Sequence, residues 1–315
     1  MSNVIAMPTG NPKDFRVKTA LLSISYSGLW RGQAYLSIED FLVKAKELGY
    51  DGVLLMVRKP HLSPLELDKK ARAELKKKIS DLGLTLVGLM GYSDFCAGLD
   101  KWGIPHTEIQ AAYFGVLSEL AADLGTNMVR IFTGYERPGI PYDRQYALVL
   151  EGLQMAASAA QNHGVTLVVQ NHHDIALHHE GMYWLMKDID MPNVKVGWDA
   201  WAPCLQGLSK EEMKAAIYKM KPYIALTIVA DYVRIPRYYY EYPLTNFFPA
   251  GPVMRATQCG KGVIDNDTFF ETMREIGYQG YIAYEMCEVL EGGGSIENLD
   301  YTAKEFLKYI QKFRS

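Results

Sequence analysis

The sequence has few cysteines and no pattern that would pair them. The four cysteines of the 315 residues are widely spaced and form no CxxC motif: Cys96, Cys204, Cys259 and Cys287. A disulfide-dense secreted fold is therefore not expected. No apolar run reaches the length of a membrane span, and residues 1–18 lack the apolar core of a signal peptide. We expect a cytoplasmic protein that does not bind a membrane.

A strong excess of one charge is also missing. Lys and Arg number 33 against 36 Asp and Glu, which gives a net charge of −3. This balance does not favour nucleic acid as a partner, although a local basic groove is compatible with it. The turn after the first predicted strand, residues 25–28, has no GxGxxG motif. We therefore expect neither a nucleotide cofactor nor the doubly wound sheet that binds one.

A strand–helix repeat runs along the chain. Helical segments end in Gly or Pro and lead into apolar strands, as where Gly83 precedes residues 84–89 and Gly164 precedes residues 165–169. Such units give eight strands, and strands that alternate with helices indicate a parallel sheet. Eight units in about 300 residues fit a closed (β/α)8 TIM barrel. We predict a barrel domain at residues 19–315 after an N-terminal extension at residues 1–18.

The segments between the strands carry helix signals. Apolar residues spaced three or four apart predict one buried helix face, made of Ile109, Tyr113, Val116, Leu120 and Leu124. A serine followed three residues later by an acid predicts the start of a helix. This pattern occurs at Ser37, Ser63 and Ser209.

The segment after the seventh predicted strand is unusually long. Residues 232–262 contain seven aromatic residues and four prolines. Loops that follow barrel strands gather at the carboxyl-terminal mouth, where active sites lie. A loop of this length is usually a lid, a binding loop or a subunit contact. Its composition suits a lid that stacks on a sugar and an oligomer interface equally well, and we predict a homo-oligomer.

Polar residues stand where most of the predicted strands end. They include Tyr26, His61, Gln170, His172, Asp199, Asp231 and Glu285. A buried carboxylate is costly to desolvate unless a cation or hydrogen bonds compensate it. One such residue alone is more simply a helix cap or a salt bridge to the outer helices. Three carboxylates from three successive strands instead indicate a shared site at the mouth of the barrel.

Motifs in the second half of the chain resemble those of a known family. They are LVVQNH at residues 167–172, VKVGWD at 194–199, GKGVID at 260–265 and GYQGYIAYE at 277–285. On these motifs the chain resembles the sugar phosphate isomerase/epimerase family, which has a xylose isomerase-like TIM barrel. The resemblance implies a divalent cation, Mn, Mg or Co, held by Glu, Asp, His and Glu from the last four strands. It also implies carboxylates that move protons next to a carbonyl group.

The chain departs from the family pattern at two of these four positions. Asp199 and Glu285 match the family's Asp and last Glu, but Gln170 stands at the first Glu. The histidine of the seventh strand is absent, and Asp231 is the matching remnant of its motif. Arg255 matches an arginine found upstream of the Gly-x-Gly turn. The predicted metal site is therefore incomplete, and one of the two bases of a two-base epimerase is missing.

These residues predict a carbohydrate-active lyase or isomerase. Glu285 would take a proton next to the carbonyl of a keto-sugar or keto-polyol and His172 would act as the acid, while Gln170, Asp199 and Glu285 would hold any cation. The candidate substrate-binding residues are Tyr26, His61, Trp201, Asp231 and Arg255. One alternative is a barrel with a degenerate metal site that serves as a sugar-binding module or partner subunit. A nuclease with the same barrel would need a multi-metal cluster, and the net charge and the missing histidine disfavour it.

Overall fold

Eight parallel strands form the centre of the molecule. The computed structural model describes residues 15–99, 103–172 and 174–314. Its barrel strands are β1 (Lys18–Leu22), β2 (Gly52–Met56), β3 (Thr85–Met90), β4 (Met128–Ile131), β5 (Thr166–Gln170), β6 (Val194–Asp199), β7 (Ile224–Val229) and β10 (Tyr281–Tyr284). They close in the order β1-β10-β7-β6-β5-β4-β3-β2. The predicted (β/α)8 TIM barrel is confirmed. Most of the predicted N-terminal extension, residues 1–14, lies outside the described residues, as does His173.

Helices follow the strands and cover the outside of the barrel. They are α1 (Ile38–Leu48), α2 (Lys69–Asp81), α3 (His106–Leu124), α4 (Tyr142–Gln161), α5 (His179–Ile189), α6 (Trp201–Leu205), α7 (Lys210–Met220), α8 (Asn266–Glu275) and α9 (Ile296–Ile310). No described helix combines the length and apolarity needed to cross a membrane.

The capping signals were informative at two of three helix starts. Ser37 and Ser209 accept backbone N–H groups at the starts of α1 and α7, and Ser209 forms a reciprocal capping box with Glu212. The start predicted at Ser63 is wrong. Its carbonyl group accepts the N–H of Glu66 in a turn that does not continue, and α2 begins at Lys69 behind the cap residue Asp68.

The face predicted for α3 is only partly correct. Ile109 and Val116 are 53% and 39% exposed, whereas Phe114 and Leu117 are buried against the barrel. The helix has apolar residues on two sides, so the spacing predicts a helix without selecting the side that packs. Phe114 decides the packing because its ring fits closely over Gly91, where an added Cβ would lie 2.6 Å from the ring.

Alternate residues of the strands fill the inside of the barrel. Met128, Val168 and Ala283 belong to an apolar cluster built from strand residues and the segments that directly follow them. Successive side chains of a strand point to opposite faces. The residues two positions later, Arg130, Gln170 and Glu285, therefore face the same interior at the carboxyl-terminal end of the strands.

The long insertion after β7 is a hairpin rather than an irregular loop. Strand β8 (Tyr232–Glu241) pairs antiparallel with β9 (Asn246–Ala256), separately from the barrel. Tyr232 and Ala256 at its base are buried, whereas Tyr242 near its tip is 81% exposed and Phe247 is 65% exposed. The hairpin therefore carries an aromatic surface away from the core.

Candidate active site

Two adjoining cavities lie at the carboxyl-terminal end of the barrel. The central cavity has a volume of about 280 Å³, and the side cavity has about 270 Å³. Residues that follow strands line the central cavity, among them Arg58, Tyr92, Phe132 and Glu285. Trp30, His172 and Cys287 line both cavities. A larger cavity of about 460 Å³ lies near the amino-terminal ends of α3 and α4. No residue that ends a barrel strand lines it.

Glu285 places a buried carboxyl group on the wall of the central cavity. The side chain is 3% exposed and follows β10, where its backbone N–H bonds to the carbonyl group of Val229. No described residue donates a hydrogen bond to its carboxyl group. Burial raises the pKa of Glu285 to about 7, and the positive charge of Arg130 opposes this rise. Glu285 can therefore gain or lose a proton near neutral pH.

Arg130 brings a buried positive charge to the same cavity. Its side chain lies on β4 and is 4% exposed. Nη1 donates to the Oε1 of Gln170 at 2.9 Å, and Nη2 donates to the carbonyl oxygen of Gly91 at 3.1 Å. The guanidinium carbon lies 3.9 Å from the ring centre of Phe132 and 4.8 Å from that of Tyr92. Arg130 forms no salt bridge with a described carboxylate.

Gln170 and Asp199 lie behind Arg130 and line neither cavity. The Nε2 of Gln170 donates to the Oδ2 of Asp199 at 3.0 Å. The other oxygen, Oδ1, accepts the backbone N–H groups of Trp201 and Ala202 at 2.9 and 3.0 Å. Burial raises the pKa of Asp199, and these three donors oppose the rise. Asp199 thus holds the start of α6 and the amide of Gln170 in place.

His172 lies between two aromatic rings on the wall shared by the cavities. Its ring centre is 5.1 Å from that of Phe132 and 4.7 Å from that of Trp201, which it meets edge to face. Burial and then the charge of Arg130 lower the pKa of His172 to about 4. The imidazole is therefore neutral at physiological pH and keeps one N–H donor and one acceptor.

Trp201 contributes an aromatic wall to the side cavity. It packs against Tyr232 with a distance of 5.2 Å between ring centres. Its indole Nε1 is buried, and no described residue accepts a hydrogen bond from it.

Asp231 lies at the base of the hairpin and lines neither cavity. Its carboxylate accepts four backbone N–H groups within 3.2 Å, from Tyr232, Gly260, Gly262 and Ile264. Burial raises the pKa of Asp231, and these hydrogen bonds oppose the rise. Gly262 is required here, because an added Cβ would lie 2.0 Å from Oδ1. The contacts give Asp231 a structural role in closing the insertion.

Three further candidates lie outside the cavity walls. The Tyr26 hydroxyl donates to Asp300 at 2.9 Å among the outer helices. His61 contacts Ser23 and the carbonyl oxygen of Leu36. Arg255 pairs with Glu288 at 3.4 Å. Of the predicted site residues, Glu285, His172 and Trp201 reach the cavities.

The chain matches the family model of the xylose isomerase-like TIM barrel over residues 42–311. It belongs to this family. Solved xylose isomerase-like structures resemble it along most of its length, with TM-scores above 0.6. The D-allulose 3-epimerase from Methylomonas sp. is 14% identical with a TM-score of 0.69, and the alignment covers 95% of this chain and 98% of that chain.

Two further solved structures show the same similarity. The D-psicose 3-epimerase from Clostridium cellulolyticum H10 is 16% identical with a TM-score of 0.68, covering 95% of this chain and 100% of that chain. The probable 3-DHS dehydratase AsbF from Bacillus anthracis is 17% identical with a TM-score of 0.66, at the same coverages. These identities establish the shared fold alone. No curated protein matches the chain.

The side chains at the family's metal position do not fit a divalent cation in this chain. The described residues contain no group of three or more His, Cys, Asp or Glu that could hold a metal ion. Both oxygens of Asp199 and the amide oxygen of Gln170 accept hydrogen bonds from protein donors. Of the residues at these positions, only Glu285 has a carboxyl group that accepts no hydrogen bond from a described residue, whereas Mg²⁺ and similar ions need several free oxygen ligands.

Arg130 was not among the site residues predicted for this xylose isomerase-like chain. A charged residue within an apolar strand has one available signal, its spacing of two from Met128, which places both on one face. Four further residues of the cavity wall were also not selected as site residues: Trp30, Arg58, Tyr92 and Phe132. They follow early strands that carry no family motif, and the folded barrel brings them to the cavity.

Proposed function

We propose that this protein is a lyase or isomerase that removes a proton next to the carbonyl group of a keto-sugar or keto-polyol. One observation carries the proposal: Glu285 is a buried carboxyl group on a cavity wall, and Arg130 lines the same cavity. Burial raises the pKa of Glu285 to about 7. Such a group is partly ionised at neutral pH and can both take and return a proton.

The proposed reaction uses one base. The carboxylate of Glu285 takes the proton on the carbon next to the carbonyl, the C–H electrons form a carbon–carbon double bond, and the carbonyl oxygen becomes an enolate. Where the next carbon carries a hydroxyl group, the enolate expels it. Protonated Glu285 gives its proton to this leaving group, so the substrate loses one water. An epimerase that works on both faces would need a second base, and Gln170 is an amide that cannot provide one.

The role of His172 follows from its neutral ring. Since burial and Arg130 lower its pKa to about 4, its charged form is scarce at the pH at which Glu285 becomes a base. We therefore propose His172 as a hydrogen-bonding partner of a substrate hydroxyl group, in place of the acid predicted from the sequence. Trp201, which meets it edge to face, forms the adjoining wall.

The cavity walls suit a hydroxyl-rich ligand with a negative group. Trp30, Phe132 and Trp201 supply apolar ring surface. Arg58 lies 5.4 Å from the ring centre of Tyr92 at the cavity wall and pairs with no described carboxylate. We propose Arg58, rather than Arg255, as the residue that binds a carboxylate or phosphate on the substrate.

Hydrogen exchange with solvent tests the proposal even while the product is unidentified. The protein is incubated in D₂O with D-fructose, an inosose, a keto-sugar phosphate and a keto-uronate, and deuterium incorporation is followed by NMR. We expect label at one carbon next to the carbonyl group of at least one compound. If the Arg58→Met variant loses exchange with the keto-sugar phosphate or the keto-uronate but keeps it with the uncharged compounds, the result would support the anion site.

The sugar-binding module remains the second candidate because the site has a single base. Saturable binding of a compound in the same set, without deuterium exchange or product, would favour that module and overturn the enzymatic proposal. Calorimetric titration of each compound measures the binding, and deuterium exchange of the same compound shows whether a reaction follows. The Glu285→Gln variant is the matched control, because it keeps the shape of the site and removes the base.

A further inference from the structure

We propose that the Arg130 guanidinium occupies the functional place of the family's divalent cation, so that this chain stabilises an enolate without a metal. The inference rests on the proposed function for its chemical step. It stands on three observations: a buried arginine that forms no salt bridge with a described carboxylate, a hydrogen-bonded amide where the family has an acid, and the shared cavity of Arg130 and Glu285.

The first observation is that the arginine is buried and no described carboxylate forms a salt bridge with it. Arg130 is 4% exposed, and its hydrogen bonds go to the neutral oxygens of Gln170 and Gly91. Removing a charge from water is costly unless another charge compensates it. The ring faces of Phe132 and Tyr92 compensate part of that cost. The positive charge can still act on a group inside the cavity that Arg130 lines.

The second observation is the fit between Arg130 and residue 170. The amide oxygen of Gln170 accepts from Arg130, and its NH₂ group donates to Asp199. A glutamate at this position would place a second carboxylate against the Oδ2 of Asp199, at the distance of 3.0 Å now bridged by a hydrogen bond. The amide of Gln170 thus bonds to an arginine on one side and to an acid on the other. In this arrangement the side-chain oxygens of Gln170 and Asp199 all accept hydrogen bonds from the protein and are not free to bind a metal.

The third observation, the cavity shared by Arg130 and Glu285, explains how the charge of Arg130 could assist the reaction. When the Glu285 carboxylate takes a proton from the substrate, it becomes neutral and the substrate oxygen becomes negative. The negative charge moves within one cavity whose wall holds the fixed charge of Arg130. A positive group held in a cavity stabilises the developing oxyanion without having to rearrange. The step transfers one proton and needs no redox partner.

Manganese binding tests the inference without a substrate. Mn²⁺ is titrated into the purified protein, and free Mn²⁺ is measured by electron paramagnetic resonance. We expect no saturable site below about 1 mM in the wild type. The double variant Arg130→Met/Gln170→Glu should gain one site that binds at least about tenfold more tightly. Arg144→Met/Gln154→Glu on α4 makes the same change in charge outside the site and should gain none.

One tight Mn²⁺ site per wild-type chain would overturn the inference, whatever the outcome for the variants. A double variant that folds by circular dichroism and binds no better than the wild type would also count against it. If the double variant does not fold, the wild-type titration still decides. This experiment remains valid when no substrate is found, so its failure is distinct from the failure of the proposed function.

Exchange kinetics test the same inference during the reaction. With a compound that exchanges deuterium, EDTA treatment should leave the wild-type rate unchanged. Arg130→Met should lower the rate by about 10²- to 10³-fold, as does the loss of one oxyanion donor in other enzymes, and Arg130→Lys should keep part of it. Exchange that EDTA abolishes and Mn²⁺ restores would show that a metal supplies the charge.

Discussion

The guanidinium of Arg130 and the amide oxygen of Gln170 are joined by a 2.9 Å hydrogen bond inside the barrel. This bond fixes which end of the Gln170 amide faces Asp199, since the amide NH₂ group must then point to the Oδ2 of that residue. The pair thus distinguishes the functions of Asp199 and Glu285, the two acids that match the family motif. Asp199 is committed to the scaffold, and Glu285 remains on the cavity wall with its carboxyl group uncommitted.

Replacing Glu285 by Gln should abolish proton exchange while the protein stays folded. Removal of a general base typically lowers the rate by about 10²- to 10⁴-fold. Deuterium incorporation into the substrate, followed by NMR, measures this loss. Glu271→Gln, at an exposed position of α8, makes the same chemical change and should exchange at the wild-type rate. A Glu285→Gln variant with normal exchange would remove Glu285 from the mechanism.

The same substitution should change how stability depends on pH. The folded pKa of Glu285 is about 7, raised from 4.5, so the folded state holds the proton more tightly than the unfolded state. The wild type should therefore lose about 3 kcal/mol relative to Glu285→Gln as the pH rises from 4.5 to above 7. Urea unfolding of both proteins at pH 4.5 and 8 measures this difference. Parallel stability curves would contradict the burial of an ionisable group at this position.

Activity should rise with pH and reach a plateau above neutrality. Because Glu285 must be ionised to act as the base, kcat/KM should follow an apparent pKa near 7. His172, with its pKa lowered to about 4, is neutral throughout this range and should add no second limb. The variant His172→Gln should lower the rate at every pH without moving the midpoint. A midpoint that shifts in this variant would assign the titration to the histidine.

Asp231 should matter more for stability than a helix-capping acid does. Its carboxylate holds four backbone N–H groups at the base of the hairpin, and Asp231→Ala leaves all of them without this acceptor. We expect a loss of about 3–5 kcal/mol in the free energy of unfolding. Asp265→Ala, which removes the cap of α8, should cost about 1 kcal/mol. Urea unfolding compares the two, and equal losses would contradict the role given to Asp231.

The exposed hairpin should make the protein self-associate, and we propose a second copy of this chain as its partner. A two-stranded hairpin alone is marginally stable in water, and this one exposes Tyr242 and Phe247 by 81% and 65%. Light scattering after size exclusion should give a dimer or larger assembly. Tyr242→Ser/Phe247→Ser should shift it toward monomer, whereas Tyr301→Ser on α9 should not. A wild type that is monomeric at about 100 μM would refute this proposal.

The sequence predicted the barrel well because its signals are local. A Gly or Pro after a helix, followed by an apolar segment, identifies seven strands, and the apolar residues 20–24 add the first one. The strand ends place Glu285 at the mouth. The hairpin was not predicted as strands for a physical reason. Residues on both faces of β8 are exposed along most of its length, and β9 has a buried residue only at its end, so no alternation of buried and exposed residues marks the two strands.

The site was harder to predict because its contacts join distant parts of the chain. Asp231 receives N–H groups from a turn 29 to 33 residues later, so its sequence neighbours give no indication of a structural role. Asp199 has its Oδ2 taken by Gln170 from the neighbouring strand. A strand-end acid that binds the scaffold and one that faces a cavity have the same local sequence, and the arrangement of the barrel separates them.

The two ends of the hairpin lie in different surroundings. Its tip carries the exposed aromatic rings, while Tyr232 and Met254 near its base form part of the side-cavity wall. Strands β8 and β9 pair along the hairpin and connect these two ends. If a second copy of this chain binds the tip, as proposed, the contact should also order the wall of the side cavity, and any affinity of that cavity for a sugar should fall when the protein is diluted.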